Sequence, residues 1–504
     1  MKSRSRSIFN FASLGIALVF SASAIFFANA LGADAVDDAY ISFRYAQNAI
    51  RGYGLFFNPG ERVEGFTNFL WTAAMIPLEG AGVDVGRASM ALGALFALAT
   101  LWLVGRFARQ VDAPRGVGIL AALLLAVDGS FVLWAVSGLE TVLFAFLIFA
   151  GATLYVREQT HARFPLSGVF FALATMTRPE GAFVFAITVA HQVAWRLVVE
   201  RRLFTGRDIL RGLAFAAIFA PYWLGRWWYY KSFLPNSFHA KVSAAGPAAQ
   251  IERGWKHLAQ FVGVHLGWLV LLPPLVAVAN AFRAHRFFWT SYFTALLIPY
   301  TAYIVYVGGD WSVGRFFAPL MPFFYLLFCT GLGDLWKTFG EPRTRHWGKL
   351  VEYTTWVVSG LLVAAVFYAS AWSGEYGIYI RSFDAARATE ARVVMGRWLN
   401  ANAPRGTLIA VDAAGQVPYF SGLPAVDMFG INDLHIGRMQ VATLGQGTPG
   451  HEKFDLAYVV MRQPEYVIIF GDVMDSVKEY ERAPVTWTDD PALRKFLTLY
   501  RRKK

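Results

Sequence analysis

Charge is what this chain has least of. Only 16% of its 504 residues are Asp, Glu, Lys or Arg, against roughly a quarter in soluble domains. With 56% hydrophobic residues, 44 Phe and 17 Trp, an aqueous globule is excluded and lipid is the expected solvent. Cysteine is all but absent: Cys329 stands alone inside an apolar run, so no intramolecular disulfide can form. The chain has no P-loop, no C-x-x-C and no H-E-x-x-H, which leaves it without the machinery of a P-loop nucleotide site or a zinc hydrolase. What it has in excess is positive charge, net +12. The basic residues lie between apolar runs and form no stripe, so they read as topology signals, and a nucleic-acid partner is set aside.

A spanning helix needs about 20 mostly apolar residues. Eleven are expected, near 9–31, 86–107, 116–135, 138–156, 164–177, 180–199, 208–227, 262–282, 287–307, 314–336 and 348–372. Short loops rich in Lys and Arg face the cytoplasm. Lys2, Arg4 and Arg6 begin the series, followed by Arg106, Arg109 and Arg115; Arg157 and Arg163; Arg201, Arg202 and Arg207; Arg283 and Arg286; and Lys337, Arg343, Arg345 and Lys349. All fall on one side only if 67–82 is not a span. That stretch is short, holds Pro77 and reads as an interfacial or re-entrant helix on the outer side. The first run is read as an uncleaved anchor, although Ala28-Asn29-Ala30 would suit signal cleavage.

The expected fold is therefore an α-helical polytopic membrane module, 1–372, with outer loops 32–85 and 228–261, followed by a small α/β domain, 373–504, on the same outer face. The tail changes character: apolar runs Thr407–Val411 and Tyr466–Phe470 alternate with turn signals. No internal repeat is visible. Nearly all unusual polar residues gather outside, so any chemistry is expected there, on the periplasmic side of a bacterial inner membrane.

Asp37 and Asp38 stand just past the first span. They could merely cap a helix whose apolar face, Tyr40, Phe43, Ala46 and Ile50, lies in the membrane interface. They could instead supply a carboxylate base, whose pKa low-dielectric surroundings make tunable. Arg44, Glu64 and Asn68 are further polar candidates in the same loop. Arg178 and Glu180 interrupt apolar sequence between two spans, and an outer Arg runs against the charge trend. Lys231, Asn236, His239 and Lys241 sit among aromatics in 228–241, a mixture suited to a lipid headgroup. Asp310 and Arg315, in the Gly308–Arg315 turn, could pair with each other or bind phosphate. In the tail, Asp427, Asp433, His451 and Lys453 are ordinary loop residues taken singly.

Taken in order, DDAYISFRYA, the stretch 52–71 ending EGFTNFLW, TRPEG, LPNSFHAK, GGDWSVGRFFAPLMP, DMFGIND and GHEK resemble the terminal arabinofuranosyltransferase family of GT-C membrane glycosyltransferases. The resemblance covers nearly the whole chain and is strongest over 37–71 and 308–322. It implies a GT-C fold, a polyprenyl-phosphate sugar donor and inverting displacement with an acidic residue of the first outer loop at the reacting centre. Here that residue is Asp37 or Asp38, with Asp37 preferred. Arg178, Lys241 and Arg315 would hold the donor phosphate. Arg44, Glu64, Asn68, Glu180, Asn236, His239, Asp310, Asp427, Asp433, His451 and Lys453 would bind substrate. Arabinofuranose is the first candidate sugar, and the acceptor a glycan, lipid-linked or protein hydroxyl of the cell envelope. No cofactor is required by the reading, though Asp37, Asp38 and Asp310 could serve a divalent cation. The alternatives are a flippase for a lipid-linked sugar, which would bury ionisable groups within spans, and an oligosaccharide ligase.

Overall fold

The structure, a computed structural model, describes residues 2–114, 116–160, 164–241, 248–265, 267–282, 286–312, 314–339, 348–372 and 384–503. Of the loop cations used for topology, Arg115, Arg163, Arg283, Arg343 and Arg345 lie outside the described residues.

Each expected span falls on helix. Among the described residues six helices are long and apolar enough to cross a bilayer: Phe11–Ala30, Val85–Gln110, Thr141–Glu158, Glu180–Glu200, Ala318–Thr338 and Tyr353–Trp372. Two more candidates are bent pairs, Val117–Val127 with Gly129–Ala135 (63°) and Ala248–Val264 with Trp268–Ala279 (85°). The other three expected spans are weaker. Ser167–Thr177 has only 11 residues. Gly206–Tyr230 carries charge at Arg207, Asp208, Arg211 and Arg226, and Phe287–Tyr306 is rich in Tyr and Trp. Phe69–Gly80 has 12 residues. At 1.5 Å per residue it reaches about 18 Å, short of the ~30 Å hydrocarbon layer.

The bends have a polar cause. Asp128 caps Gly129–Ala135 through the Ser130 amide (2.7 Å) and accepts from Tyr325 (2.6 Å). His265, at the second bend, lies 3.2 Å from the same carboxylate. The sequence suggested spans almost free of ionisable groups. The fold buries several, each with a partner: Asp128 with His265, Asp334 with Arg286, Glu158 with Arg211.

Small residues set the closest approaches. A Cβ on Gly331 would overlap the Pro273 carbonyl oxygen of the facing Leu272–Ala279 helix. Overpacking a filled site costs about 1–3 kcal/mol. Gly331→Val should therefore lower the yield of monodisperse chain extracted from membranes. Unchanged yield and elution would mean that the two helices do not meet at this glycine.

The tail opens with the Asp384–Asn402 helix and forms a five-stranded sheet. Its strands are β1 (Ile409–Val411), β2 (Ala425–Asp427), β3 (Tyr466–Ile469), β4 (Tyr480–Arg482) and β5 (Thr498–Arg502), in the order β2-β1-β3-β5-β4. β1 runs parallel to β2 and β3; β5 is antiparallel to β3 and β4. β1 and β3 are buried at every residue, not alternately. Parallel strands covered on both faces read this way, which is why the apolar runs were continuous.

The first outer helix, Asp37–Ile50, departs from its expected place. It does not lie on the membrane interface. Tyr40, Phe43 and Ala46 pack into the bundle core, while Ile41 and Tyr45 pack into the core of the tail domain. A helix with apolar residues on both sides can be sandwiched, and here the tail supplies the second side. Polar clamps complete the docking. Asn58 pairs with the Ala425 amide and carbonyl (both 2.9 Å), extending the sheet edge. The buried Arg44 guanidinium donates to the carbonyls of Phe57, Pro418 and Leu423.

Candidate active site

Between the bundle and the tail lies a cavity of about 390 Å³, within the range of small-molecule sites. Asp37, Asp38 and Trp311 line it from the membrane side; Arg392, Asp412, Asp427, Phe429, His451 and Phe470 line it from the tail.

Both leading aspartates sit in the first helical turn, where the N-terminal partial charge favours carboxylates. Neither caps the helix: the N-cap is Val36, without a side-chain bond. The Asp37 carboxylate accepts from the amides of Gly415 (3.1 Å) and Gln416 (2.8 Å), and Arg392 stands 4.0 Å away. A Cβ on residue 415 would overlap the Asp37 carbonyl, so only Gly lets the tail backbone come this close. Burial pushes the Asp37 carboxyl above its ordinary value, more than Arg392 and the two amides pull it down.

Asp38 is held differently. Only Oδ2 is engaged, by Arg315 Nη1 (3.1 Å) and Trp311 Nε1 (3.3 Å). Oδ1 has no hydrogen-bond partner among the described residues, and the side chain is 38% exposed, against 14% for Asp37. Burial alone would raise its pKa. The field of Arg315, Lys241 and His451 outweighs that and holds the carboxyl below its ordinary value.

Beneath Asp38 runs a chain of paired charges. Arg315 is bidentate to Asp310 and packs over Trp134, Trp311 and Phe316. Arg178 also packs over Phe316 and bridges Glu140 (2.9 Å) to Glu180 (3.2 Å). That bridge gives a structural reason for the arginine that runs against the charge trend. Asn68 donates to Glu140 (2.8 Å) and accepts from Ser42 (3.0 Å). Lys241 is the exception: it is exposed, and its ammonium makes no hydrogen bond or ion pair among the described residues, although Asp38 and Asp310 lie within its field.

The fold thus gathers Asp37, Asp38, Lys241, Asp310, Arg315, Asp427 and His451 at or beside one cavity, with Asn68, Arg178 and Glu180 beneath. It places others in joints between elements. Glu64 is clamped by Arg226, with contacts from both carboxylate oxygens. Asn236 donates to the carbonyls of Gly430, Ile431 and Asp433. Lys453 donates to the carbonyls of His239 and Gly437. Asp433 caps Leu434–Arg438. Arg44 binds only carbonyls. Among the described residues no three His, Cys, Asp or Glu side chains are arranged to hold a metal ion; Asp310 faces Arg315 instead of Asp37 and Asp38. The sequence reading missed Arg392, Asp412 and Phe470. Asp412 and Phe470 each directly follow an apolar strand run, the one signal that could have marked them.

Comparison with known proteins agrees with this architecture. The Cupriavidus metallidurans ArnT bound to undecaprenyl phosphate superposes with a TM-score of 0.57 at 13% identity, covering 96% of this chain and 97% of that one. The chain has the GT-C fold. The Archaeoglobus fulgidus oligosaccharyltransferase AglB, in complex with an inhibitory peptide and a dolichol-phosphate, superposes at 0.53 with 13% identity, covering 90% of this chain and 69% of that one. The mycobacterial arabinofuranosyltransferase AftD superposes at 0.50 with 13% identity, covering 97% of this chain and 40% of that one. In sequence, the chain is similar to the terminal β-(1→2)-arabinofuranosyltransferase of Corynebacterium glutamicum, 26% identical over 365 residues. That match takes in 64% of this chain and 51% of the relative, so the chain spans about half of that enzyme's length. Residues 380–500 match the model of a domain of unknown function (DUF8728), the stretch that forms the tail domain.

Proposed function

We propose that the chain is a glycosyltransferase of the extracytoplasmic face of a bacterial inner membrane. It moves a sugar, arabinofuranose in the first instance, from a polyprenyl-phosphate donor to a hydroxyl of a cell-envelope acceptor. The observation that carries the reading is Asp38: an ionised carboxylate with one free oxygen, fixed by Arg315 and Trp311, facing a cavity at the outer end of a GT-C bundle. The lipid-phosphate complexes of ArnT and AglB and the likeness to an arabinofuranosyltransferase support the donor and the sugar.

The geometry supports a single displacement. Asp38 Oδ1 takes the proton of the acceptor hydroxyl. The oxygen attacks the anomeric carbon from the face opposite the phosphate, and the bond from that carbon to the phosphate oxygen breaks. Polyprenyl phosphate leaves with the electron pair, and configuration inverts. Lys241, whose ammonium has no partner among the described residues, is placed to meet the leaving phosphate. Arg315, tied to Asp310, orients Asp38, and Arg178 adds positive field from below. Asp37, whose oxygens are committed to the tail backbone, docks the tail over the site. The sequence favoured Asp37 as base; the free oxygen favours Asp38.

The test is sugar transfer in membranes from cells expressing the chain, with radiolabelled polyprenyl-phosphoryl arabinofuranose. Label should move to an envelope acceptor with inverted configuration. If neither this donor nor a panel of pentose and hexose lipid donors is consumed, while the labelled lipid crosses proteoliposome membranes, the chain is a flippase.

A further inference from the structure

The tail sheet carries a site of its own. In an open parallel sheet, ligands bind at the carboxyl ends of the strands where the order reverses, because the loops there diverge and leave a crevice. The chain runs from β1 outward to β2, then returns across β1 to β3, so the reversal lies between β1 and β3. Residue 412 follows β1 and residue 470 follows β3. The Phe470 amide donates to Asp412 Oδ2 (2.6 Å), closing the floor of the crevice. The Phe470 ring stays 70% exposed on the cavity wall. A ring with no stacking partner among the described residues is costly to leave in water, and it stands beside the Asp412 carboxylate, which takes the Phe470 amide and draws on that of Ala413. Across the cavity, His451 meets Phe429 edge-on, and its Nδ1 lies 3.2 Å from the Pro449 carbonyl. Its Nε2 has no hydrogen-bond partner among the described residues.

We infer that this crevice binds a neutral sugar ring, and that the ring belongs to the acceptor. An apolar sugar face stacks on Phe470, while adjacent hydroxyls hydrogen-bond the Asp412 carboxylate and His451 Nε2. The acceptor ring is neutral because four carboxylates line the cavity, Asp37, Asp38, Asp412 and Asp427, against Arg392 and His451. A second anion beside the donor phosphate would meet carboxylates on both walls. As an acceptor site the crevice rests on the glycosyl-transfer reading, and it places the ring in the same cavity as Asp38. As a sugar site it stands on the sheet alone.

Saturation-transfer NMR on the full chain in detergent tests it, with methyl α-arabinofuranoside and methyl α-mannopyranoside as neutral probes and methyl α-glucuronopyranoside as the anionic one. At least one neutral glycoside should receive saturation, and the glucuronide should receive less. Phe470→Ala, at an exposed position where folding is not at stake, should weaken neutral binding about tenfold, the scale of a lost aromatic contact. Asp412→Asn should weaken it as well. Neutral probes that ignore wild type, or that bind Phe470→Ala and Asp412→Asn equally well, overturn the site. Where transfer is observed, Phe470→Ala should raise the acceptor KM with donor KM and kcat unchanged; an unmoved acceptor KM overturns the acceptor assignment. Binding that persists in a chain inactive with every donor would keep the sugar site and remove the transferase.

Discussion

Asp38→Asn should lower sugar transfer by 10²–10⁴-fold, about what general-base catalysis contributes, while the chain accumulates normally. Asn fills the same volume and its oxygen still accepts from Trp311 and Arg315, so the loss isolates the proton acceptor. Arg315 keeps its pair with Asp310, so no bare charge is left buried. The pH dependence has a definite sign. Asp38 titrates below the ordinary carboxylate value, so it remains a base at neutral and mildly acidic pH. Loss of rate from its protonation comes only below that value. Asp37 titrates above it, so falling pH loosens the contact to Gly415 and Gln416 first. Asp37→Asn should accordingly act on docking more than on chemistry. It exchanges charge-assisted hydrogen bonds for weaker ones, a cost of about 1.5–3 kcal/mol, read as a lower unfolding temperature in detergent. If Asp37→Asn abolishes transfer at unchanged stability while Asp38→Asn stays active, the two roles are reversed.

The contrast between these neighbours shows where sequence reading stops. Hydropathy and loop charge placed the helices and kept Phe69–Gly80 out of the spanning set, because both signals are local. The pair at 37 and 38 stood out for the same reason: two carboxylates next to an apolar run need an explanation. Which one is free depends on residues 311, 315, 415 and 416, and nothing near position 37 encodes them. Arg178 announced itself by standing on the wrong side of the charge pattern, yet its partner Glu140 lies on another helix. Asp412 and Phe470 looked like the ends of two unremarkable strands. Their meaning comes from the order β2-β1-β3, a property of the sheet and not of either strand. The Asp37–Ile50 helix was misplaced because lipid and a docked domain present the same apolar surface to a one-dimensional pattern.

Glu64 carries the largest expected stability effect. It sits in the loop that resembles a substrate-binding stretch, and a carboxylate there was a reasonable candidate for a sugar hydroxyl. The fold instead gives both of its oxygens to Arg226, 162 residues away, in a pair almost closed to solvent: the side chains are 4% and 7% exposed. Arg226 also donates to the Phe233 carbonyl (2.8 Å), and the Glu64 carbonyl accepts from the Asn236 amide (2.8 Å). The pair therefore ties the first outer loop to the end of Gly206–Tyr230 and to the turn that leads to Lys241. Removing one member of a buried pair costs about 3–5 kcal/mol, because the partner charge is left uncompensated. Glu64→Ala should accumulate poorly and unfold at lower temperature, and Arg226→Ala should do the same. The double variant Glu64→Ala/Arg226→Ala should recover part of the loss, since neither charge is then stranded. A substrate-binding role predicts the opposite: a well-folded Glu64→Ala with a raised KM, and no rescue by the second substitution.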